Sequence, residues 1–236
     1  MKALLLAAGF GKRLLPITKN IPKCLVEFNN KPLLYYWIKM LIDAGISDIL
    51  VNTHYLSKKV EDYIMNSEFR NYITIVYEDK LLGTGGTLLK NKSFFDNDSI
   101  ILIHADNLSL FNFDEFIKAH EIRPLNTEIT MMTFKTDNPQ SCGIVNLDKN
   151  GIVTDFYEKS EKFHGNLANA ALFIIEPSIF DYLETLTGIE IDFSKDIIPK
   201  YLNRIFTFEN KIYHKDIGTI ENYHKAQSEF NDLFLK

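Results

Sequence analysis

An apolar run near the start of the chain constrains the fold more than any other feature. Leu4 to Leu6 continue into Ala7 and Ala8, and the chain then breaks into a glycine-marked loop that reaches Lys23. A short apolar run bounded by glycine is typical of a buried strand that ends in a loop. We therefore predict an α/β fold in which this first strand is buried and the loop after it carries the chemistry.

The loop is basic although the chain as a whole is acidic. The formal net charge is -5, yet the first 26 residues contain no Asp or Glu. Gly9 and Gly11 allow a ligand to approach the backbone closely, and Lys12, Arg13 and Lys23 add positive charge. This pattern indicates an anionic ligand such as a triphosphate. The acidic balance of the whole chain argues against nucleic acid as a partner.

Two familiar glycine motifs are excluded. A dinucleotide fingerprint needs G-x-G-x-x-G running into a helix, but Leu14 stands at the third glycine position, and Pro16 and Pro22 hinder a helix there. The Walker A pattern G-x-x-x-x-G-K-[ST] is absent from the loop. What remains is a long extended loop that can wrap a nucleotide and return Lys23 to it.

The string L-A-A-G-x-G-x-R-L-x-P-x-T followed by P-K resembles the signature of the sugar-phosphate nucleotidyltransferases, also called nucleotide-sugar pyrophosphorylases. The resemblance extends through the whole chain, and it is greatest to the short mannose-1-phosphate or heptose-1-phosphate guanylyltransferases. Lys12 departs from the signature, because many relatives carry a small hydroxyl residue there. The resemblance implies a Rossmann-like three-layer sandwich, with a mostly parallel sheet and an antiparallel sugar-binding extension.

The resemblance also implies a role for each residue of the site. It implies that Arg13 and Lys23 are the catalytic pair. It implies nucleotide contacts at Leu6, Ala7, Ala8, Gly9, Gly11, Lys12, Arg13, Lys23, Asn52, Gly83, Thr84 and Asp106. It implies sugar-phosphate contacts at Asn107, Gly143, Glu158, Lys159 and Asn169. Asp106 and Asp216 would hold Mg²⁺, a hard cation that prefers oxygen ligands.

Several of these residues have a simpler interpretation that the sequence leaves open. Gly83 to Gly86 could form an ordinary helix-capping turn, and Asp106 with Asn107 could form a turn without metal. Glu158 and Lys159 could form a surface salt bridge. His54 and His104, each at a strand end, are better interpreted as structural histidines, and Trp37 as a core residue of the first helix.

The apolar pattern predicts strands that alternate with helices in the first half, which favours a parallel sheet. The predicted strands there are 47–51, 73–77, 99–104 and 128–134, and the predicted helices are 32–44, 57–66 and 113–121. Short strands at 143–147, 152–158 and 170–175 then indicate the antiparallel extension. Helices are predicted at 194–202, either continuous or restarted by Pro199, and at 220–235. We predict one domain, residues 1–236, with a nucleotide-binding half (1–135) and a sugar-phosphate-binding half (136–236).

Cysteine content and hydropathy suggest where the protein works. Cys24 and Cys142 lie far apart without C-x-x-C spacing, so neither a zinc site nor a disulfide framework is indicated, and a reducing cytoplasm fits. No stretch is apolar for long enough to span a bilayer, so no membrane partner is expected. The expected partners are an NTP and a sugar 1-phosphate, and the expected state is a monomer or a small homo-oligomer.

These observations and the resemblance together predict a transferase. It would move GMP from GTP to a mannose- or heptose-type sugar 1-phosphate and release pyrophosphate, in the nucleotide-sugar biosynthesis that serves cell-surface polysaccharides. One alternative is a cytidylyltransferase or uridylyltransferase acting on another phosphorylated small molecule, against which Glu158, Lys159 and Asn169 weigh. The other is a non-catalytic nucleotide-binding paralogue, which we would expect to lack Lys23 or an aspartate.

Overall fold

The computed structural model describes residues 1–188 and 190–234, and side chains as far as residue 230. The strands are β1 (Lys2–Leu6), β2 (Glu27–Phe28), β3 (Lys31–Pro32), β4 (Ile49–Thr53), β5 (Ile73–Tyr77), β6 (Ile100–His104), β7 (Asn107–Leu110), β8 (Ile129–Lys135), β9 (Gly143–Leu147), β10 (Val153–Glu158), β11 (Leu167–Ile175), β12 (Ile205–Glu209) and β13 (Tyr213–Asp216). The helices are α1 (Leu33–Asp43), α2 (Ser57–Met65), α3 (Gly83–Lys90), α4 (Lys92–Phe95), α5 (Phe113–Glu121), α6 (Ile179–Leu183) and α7 (Ile220–Phe234).

The described chain divides into two units, which we describe separately. Unit 1 comprises Met1–Lys2, Leu81–Ile103 and Phe111–Ile212, and unit 2 comprises Ala3–Lys80, His104–Leu110 and the chain from Tyr213 onward. The single domain with halves meeting at residue 135 stays a prediction. Among the described residues, no helix has both the length and the apolar composition needed to cross a membrane.

Unit 2 contains the predicted strand-and-loop start of the chain. β1 pairs with β4 and β4 pairs with β5, both in parallel, with Leu4 opposite Leu50 and Leu50 opposite Thr74. Leu4 and Leu50 are buried, as expected for a parallel strand with apolar residues on both faces. Trp37 of α1 is buried too, and its Nε1 donates a hydrogen bond to the carbonyl of Asn107 at 2.9 Å. The core role of Trp37 is therefore confirmed.

Unit 2 also contains an antiparallel ribbon that the sequence did not predict. β7 pairs with β13, and Asp216 lies opposite Asn107 at the end of the ribbon. Leu108, on β7, is fully buried, which fixes the register of the pair because a slip of one residue would turn this side chain outward. The ribbon therefore joins two segments that are far apart in the chain.

Unit 1 has β11 at the centre of its sheet. β11 pairs antiparallel with β6, β8 and β9, and β9 pairs antiparallel with β10. The predicted antiparallel arrangement of the second half is therefore confirmed. β12 adds a parallel partner for β8, with Ile205 opposite Ile129. The core of this sheet is apolar, since Phe173, Ile174 and Ile175 of β11 are all buried.

Two predicted segments have a local structure different from the one expected. Residues 12–25 form three short 3₁₀ turns in place of an extended loop. The segment predicted at 194–202 is a π-helical turn at Phe193–Ile197 followed by a 3₁₀ turn at Ile198–Tyr201. The chain therefore restarts at Pro199, which lacks the backbone N–H that a continuous regular helix needs. The last predicted helix is α7, and its predicted end at residue 235 lies outside the described residues.

Candidate active site

The glycine loop of unit 2 is shaped by contacts between its own residues. Gly11 has a left-handed backbone (φ 62°), which favours glycine. The hydroxyl of Thr18 donates a hydrogen bond to the carbonyl of Gly11 at 2.8 Å, and a Cβ added at Gly11 would lie 2.9 Å from Cγ2 of Thr18. A Cβ added at Gly9 would meet nothing within 4 Å. The fold therefore requires glycine at position 11 and leaves open space beside position 9.

The outer part of the loop is fastened to the segment that follows β4. The hydroxyl of Tyr55 donates hydrogen bonds to the carbonyls of Thr18 and Lys19 at 3.0 and 3.1 Å. The ring of Phe10 packs edge-on against His54, with ring centroids 5.2 Å apart. Nδ1 of His54 lies 2.8 Å from the carbonyl oxygen of Glu78. These contacts support a structural role for His54.

Asn52 and Glu78 hold the start of the loop at the end of β1. The backbone N–H of Ala7 donates to the Asn52 side chain at 2.8 Å, and the Asn52 amide donates to Glu78 at 3.0 Å. Both side chains are buried, so the chain of hydrogen bonds also satisfies their polar groups. The sequence analysis named Asn52 as a nucleotide contact, which stays a prediction, and it did not identify Glu78 as the partner of Asn52. The available signal was a carboxylate directly after the strand β5.

Four charged side chains of unit 2 converge beyond the loop. Nζ of Lys23 lies 2.9 Å from Oδ2 of Asp106 and 3.3 Å from Oδ1 of Asp216. Arg13 reaches the same cluster, with its Nη2 3.6 Å from Oδ2 of Asp216. The Lys23 side chain is 6% exposed, whereas Asp106 and Asp216 are 44% and 42% exposed. The carboxylates thus face solvent while the ammonium lies beneath them.

The charge of Lys23 also controls the protonation of Asp106. The partial burial of this carboxyl, which is 44% exposed, by itself raises its pKa. The nearby charges of Lys23 and His104 and the hydrogen bond from Lys23 outweigh that effect and lower the pKa below its ordinary value. Because the pKa is depressed, the stabilisation from this pairing is present above the ordinary pKa of Asp and is lost as the pH falls through the folded value. Asp106 is therefore ionised at neutral pH.

Two neighbouring titratable groups, Cys24 and His214, are neutral at that pH. Burial, followed by the charge of Asp106, raises the pKa of the Cys24 thiol to about 12. Burial lowers the pKa of His214 to about 4, although Asp216 and Asp106 oppose the shift. Neither side chain adds charge to the cluster at neutral pH.

Asp216 is oriented by the turn that leads into α7. The N–H of Gly218 donates to Oδ1 of Asp216 at 2.7 Å, and the Asn222 amide donates to the Asp216 carbonyl at 3.0 Å. The backbone N–H of Asn222 donates to the hydroxyl of Thr219 at 3.2 Å, so Thr219 is the N-cap of α7. A Cβ added at Gly218 would lie 2.8 Å from both Nη2 of Arg13 and Oδ1 of Asp216. Glycine therefore allows the guanidinium to approach the carboxylate.

The two carboxylates form a donor set that suits Mg²⁺. Their oxygens already point at one cation, the Lys23 ammonium, and hard oxygen ligands are those that Mg²⁺ prefers. Within residues 1–188 and 190–234, no three or more His, Cys, Asp or Glu side chains form a metal-binding group. Two protein carboxylates nonetheless fit Mg²⁺, which usually takes its other ligands from phosphates and water.

In unit 1 the glycine turn begins α3 and packs against residues 191–193. The N–H groups of Gly85 and Gly86 donate to the carbonyl of Ile191 at 2.8 and 3.1 Å. The hydroxyl of Thr84 accepts from the N–H of Phe193 at 2.7 Å. A Cβ added at Gly83 would overlap the backbone of Ile191. The N–H groups of Gly85 and Gly86 are therefore already used within the fold. The contact of Gly83 and Thr84 with a base stays a prediction.

Three of the predicted sugar-phosphate residues lie together in unit 1. Glu158 of β10 lies opposite Gly143 of β9. A Cβ added at Gly143 would lie 2.8 Å from Oε2 of Glu158, so the close approach of this carboxylate depends on glycine. Nζ of Lys159 lies 3.3 Å from Oε1 of Glu158, and the Lys159 side chain is 65% exposed. The pair is an exposed ion pair, as the simpler interpretation expects, and its sugar-binding role stays a prediction.

Asn169 lies on the strand next to β9. Its neighbour Ala168 pairs with Ile144, one residue beyond Gly143. The Asn169 side chain accepts a hydrogen bond from the N–H of Ala171 at 2.9 Å, and Ala171 has a positive φ of 54°. Such strain in a non-glycine residue is common at functional sites. Asn169 is therefore held in a fixed orientation at an irregular point of β11.

The basic loop follows the carboxyl end of the parallel strand β1, and open α/β sheets bind their ligands at the carboxyl ends of their strands. Residues 2–232 match the nucleotidyl transferase family. The chain belongs to that family. This confirms the resemblance that the loop motif carries.

The relatives to which this chain is similar include mannose-1-phosphate guanylyltransferases. The chain is 32% identical over 232 residues to probable mannose-1-phosphate guanylyltransferase 2 of Oryza sativa subsp. japonica, across 94% of this chain and 63% of the relative. It is 30% identical over 231 residues to the mannose-1-phosphate guanylyltransferase catalytic subunit beta of Xenopus tropicalis, across 94% of this chain and 62% of the relative. The chain thus spans less than two thirds of the length of these curated relatives.

A solved structure supports the fold. HddC from Yersinia pseudotuberculosis, complexed with GMP-PN, superposes with a TM-score of 0.80 at 26% identity, over 97% of this chain and 99% of that one. The agreement covers almost all of both chains. The α/β class, with its mostly parallel sheet and antiparallel extension, is therefore confirmed.

Proposed function

We propose that this protein transfers GMP from GTP to a mannose- or heptose-type sugar 1-phosphate and releases pyrophosphate. The observation that carries the proposal is the convergence of Lys23, Asp106, Asp216 and Arg13 in unit 2. Transfer of this kind needs little covalent chemistry from the protein. The sugar-phosphate oxygen attacks the α-phosphorus in line, and catalysis comes from positioning and from neutralising charge on phosphate oxygens.

The loop residues of unit 2 would bind the triphosphate. Arg13 would hold the β- and γ-phosphates, and Lys23 the α-phosphate, where charge develops during transfer. Lys12, in the same loop, would add charge beside them. Its Nζ lies over the ring of Phe10, 5.1 Å from the centroid. Gly9 leaves open space in which a phosphate can approach the backbone. The remaining contacts are assigned to Leu6, Ala7, Ala8, Gly11 and Asn52.

Asp106 and Asp216 would hold Mg²⁺. When bound, the ion would neutralise charge on phosphate oxygens and bring the phosphates of the two substrates together. The protein's own contribution is to keep both carboxylates ionised and oriented. Lys23 lowers the pKa of Asp106 against the effect of burial, and the N–H of Gly218 fixes Asp216.

The sugar phosphate is assigned to residues of unit 1 and to Asn107. Glu158 would accept hydrogen bonds from sugar hydroxyls, and Lys159 would bind the phosphate as a mobile point charge. Asn169 would add a contact to the sugar, and Gly143 allows the close approach of the Glu158 carboxylate. Gly83 and Thr84 are assigned to the base.

Guanine is favoured over the other bases by the named relatives, which are mannose-1-phosphate guanylyltransferases. A site that hydrogen-bonds the edge of its base rejects the wrong base strongly, because mismatched polar groups are left buried and unpaired. A transferase for another nucleotide, acting on a different phosphorylated small molecule, is the second candidate. Its supporting observation lies at the start of α3, where the N–H groups of Gly85 and Gly86, which could otherwise bind the edge of a base, donate to the carbonyl of Ile191.

Pyrophosphate release tests the proposal. Each of the four NTPs is combined with a panel of sugar 1-phosphates, phosphocholine and a blank, and kcat/KM is measured for every accepted pair. We expect GTP with mannose 1-phosphate or a heptose 1-phosphate to give the highest value. A clear preference for CTP or UTP would overturn the guanylyl assignment, and no release with any pair, from a protein that binds NTP, would favour a non-catalytic paralogue.

A further inference from the structure

We propose that Lys23 and a divalent cation compete for the same two carboxylates, so that metal binds Asp106 and Asp216 well only when a phosphate anion draws the ammonium away. The proposal concerns the order in which the site is filled, and it rests on the proposed function for the identity of that anion. Its basis is the position of Lys23 between the two carboxylates of unit 2.

The geometry makes Lys23 the counter-ion of both aspartates. Its Nζ is within hydrogen-bond distance of Oδ2 of Asp106, at 2.9 Å, and is 3.3 Å from Oδ1 of Asp216. One ammonium therefore occupies the point on which the oxygens of both carboxylates converge. A metal bound to those same oxygens would stand at a bonding distance of about 2.0–2.1 Å from each, where an ammonium cannot also be accommodated.

The ammonium is held in place by the fold of the loop. Lys23 begins a 3₁₀ turn closed by hydrogen bonds from Leu25 to Pro22 and from Val26 to Lys23, at 2.8 and 3.2 Å. Its side chain is 6% exposed. A buried lysine that lost both carboxylates would be left without compensation for its charge, which is costly. Lys23 is therefore released from the aspartates only when another anion replaces them.

The charges of the cluster already balance. Asp106 and Asp216 contribute two negative charges, and Lys23 and Arg13 contribute two positive ones. Addition of a divalent cation alone would place excess positive charge beside the ammonium. A triphosphate changes this balance, because its oxygens can pair with Lys23 and Arg13 and leave the carboxylates available for metal. Metal and nucleotide should thus bind together.

Metal binding without nucleotide tests the competition directly. Binding of Mn²⁺ alone is measured by electron paramagnetic resonance for the wild-type protein, Lys23→Met and the matched control Lys19→Met. Among the described residues Lys19 forms no ion pair, and it lies in the same loop. We expect Lys23→Met to lower the Kd for Mn²⁺ at least tenfold and Lys19→Met to leave it unchanged. The double variant Lys23→Met with Asp106→Asn should lose this gain in Mn²⁺ affinity.

Equal Mn²⁺ affinity in wild type and Lys23→Met would overturn the proposal, and so would a gain that survives Asp106→Asn. Should Lys23→Met be poorly folded, thermal unfolding with and without Mg²⁺ decides the same question. The midpoint should rise with Mg²⁺ in Lys23→Met or Lys23→Gln and stay constant in wild type, and no rise in either variant would contradict the competition. No substrate is present in these measurements, so an enzyme that fails the pyrophosphate assay can still show the expected Mn²⁺ pattern.

Discussion

Asp216 lies opposite Asn107 in the antiparallel ribbon of β7 and β13, and this pairing carries the Asp216 carboxylate to the same ammonium that Asp106 contacts. The ribbon is supported from α1, where Nε1 of Trp37 donates to the carbonyl of Asn107. It is continued by the N-capped turn into α7, where Gly218 fixes the carboxylate. Asp106 and Asp216 are far apart in the chain, yet both contact the Lys23 ammonium because the short ribbon joins their two segments.

Removal of either loop cation should abolish most of the activity. We expect Lys23→Ala and Arg13→Ala to lower kcat about a hundredfold or more, the effect of removing one donor to transition-state charge. Arg13 is 68% exposed, so Arg13→Ala should leave the free energy of unfolding nearly unchanged. Steady-state pyrophosphate release with a urea unfolding curve measures both quantities. A folded Lys23→Ala or Arg13→Ala enzyme with near-normal turnover would remove that residue from its assigned role, and Lys19→Ala serves as the matched control.

The aspartates should be required for metal-dependent turnover. Asp106→Asn and Asp216→Asn keep the shape of the side chain and remove its charge, so each should abolish Mg²⁺-dependent release of pyrophosphate while the protein stays folded. Calorimetric titration with GTP and Mg²⁺ measures the loss of metal binding. Should either variant keep the Mg²⁺ dependence of the wild type, that aspartate would not belong to the metal site.

Local sequence signals predicted the parallel strands and the loop, because an apolar run and the glycines that end it lie within a few residues of each other. The β7–β13 ribbon could not be predicted in this way. Its register depends on long-range pairing, and β13 contains the polar sequence YHKD, which has no apolar alternation. The family motif named Asp106 and Asp216 and implied that they share a cation site, but their ion pairs with Lys23 became visible only in the structure.

The irregular turns at Phe193–Ile197 and Ile198–Tyr201 also could not be predicted from local sequence signals. Asp192 caps the turn at Phe193–Ile197 by accepting from Ser194 and Lys195, at 2.9 and 3.0 Å, and Pro199 then prevents a regular continuation. The apolar spacing of this segment looks helical because Phe193 and Ile197 are both buried. The apolar residues of this segment therefore have helical spacing because one side of it is buried, although its backbone does not form a regular α-helix.

The two loop glycines should respond differently to alanine. Gly11→Ala would strain a left-handed backbone and crowd Thr18, so it should lower the free energy of unfolding by about 1–2 kcal/mol. Gly9 has neither constraint, since a Cβ there meets nothing within 4 Å. Gly9→Ala should keep its stability and raise the KM for NTP, because the new methyl group fills the space where a phosphate approaches. An unchanged KM in Gly9→Ala would argue against a close approach at this position.

A buried charged network in unit 1 should make stability depend on pH. His120 is 2% exposed, with Nδ1 2.8 Å from the hydroxyl of Thr130 and Nε2 2.9 Å from Oε1 of Glu176. Arg123 donates to the same Glu176 oxygen at 2.6 Å. Burial and the charge of Arg123 lower the pKa of His120 to about 4, although Glu176 opposes the shift. His120 is therefore neutral in the folded protein at pH values where the unfolded chain takes up a proton.

The sign of the pH effect follows from this difference. Between the ordinary pKa of 6.5 and the folded value of about 4, the unfolded chain binds more protons, so stability falls as the pH falls. From pH 7 to pH 5 the loss due to His120 should be about 2 kcal/mol. Urea unfolding of wild type and His120→Gln at both pH values isolates this contribution, because the variant cannot titrate there. We expect the wild type to lose about 2 kcal/mol more than the variant over this interval, and parallel losses would show that His120 does not control the pH response.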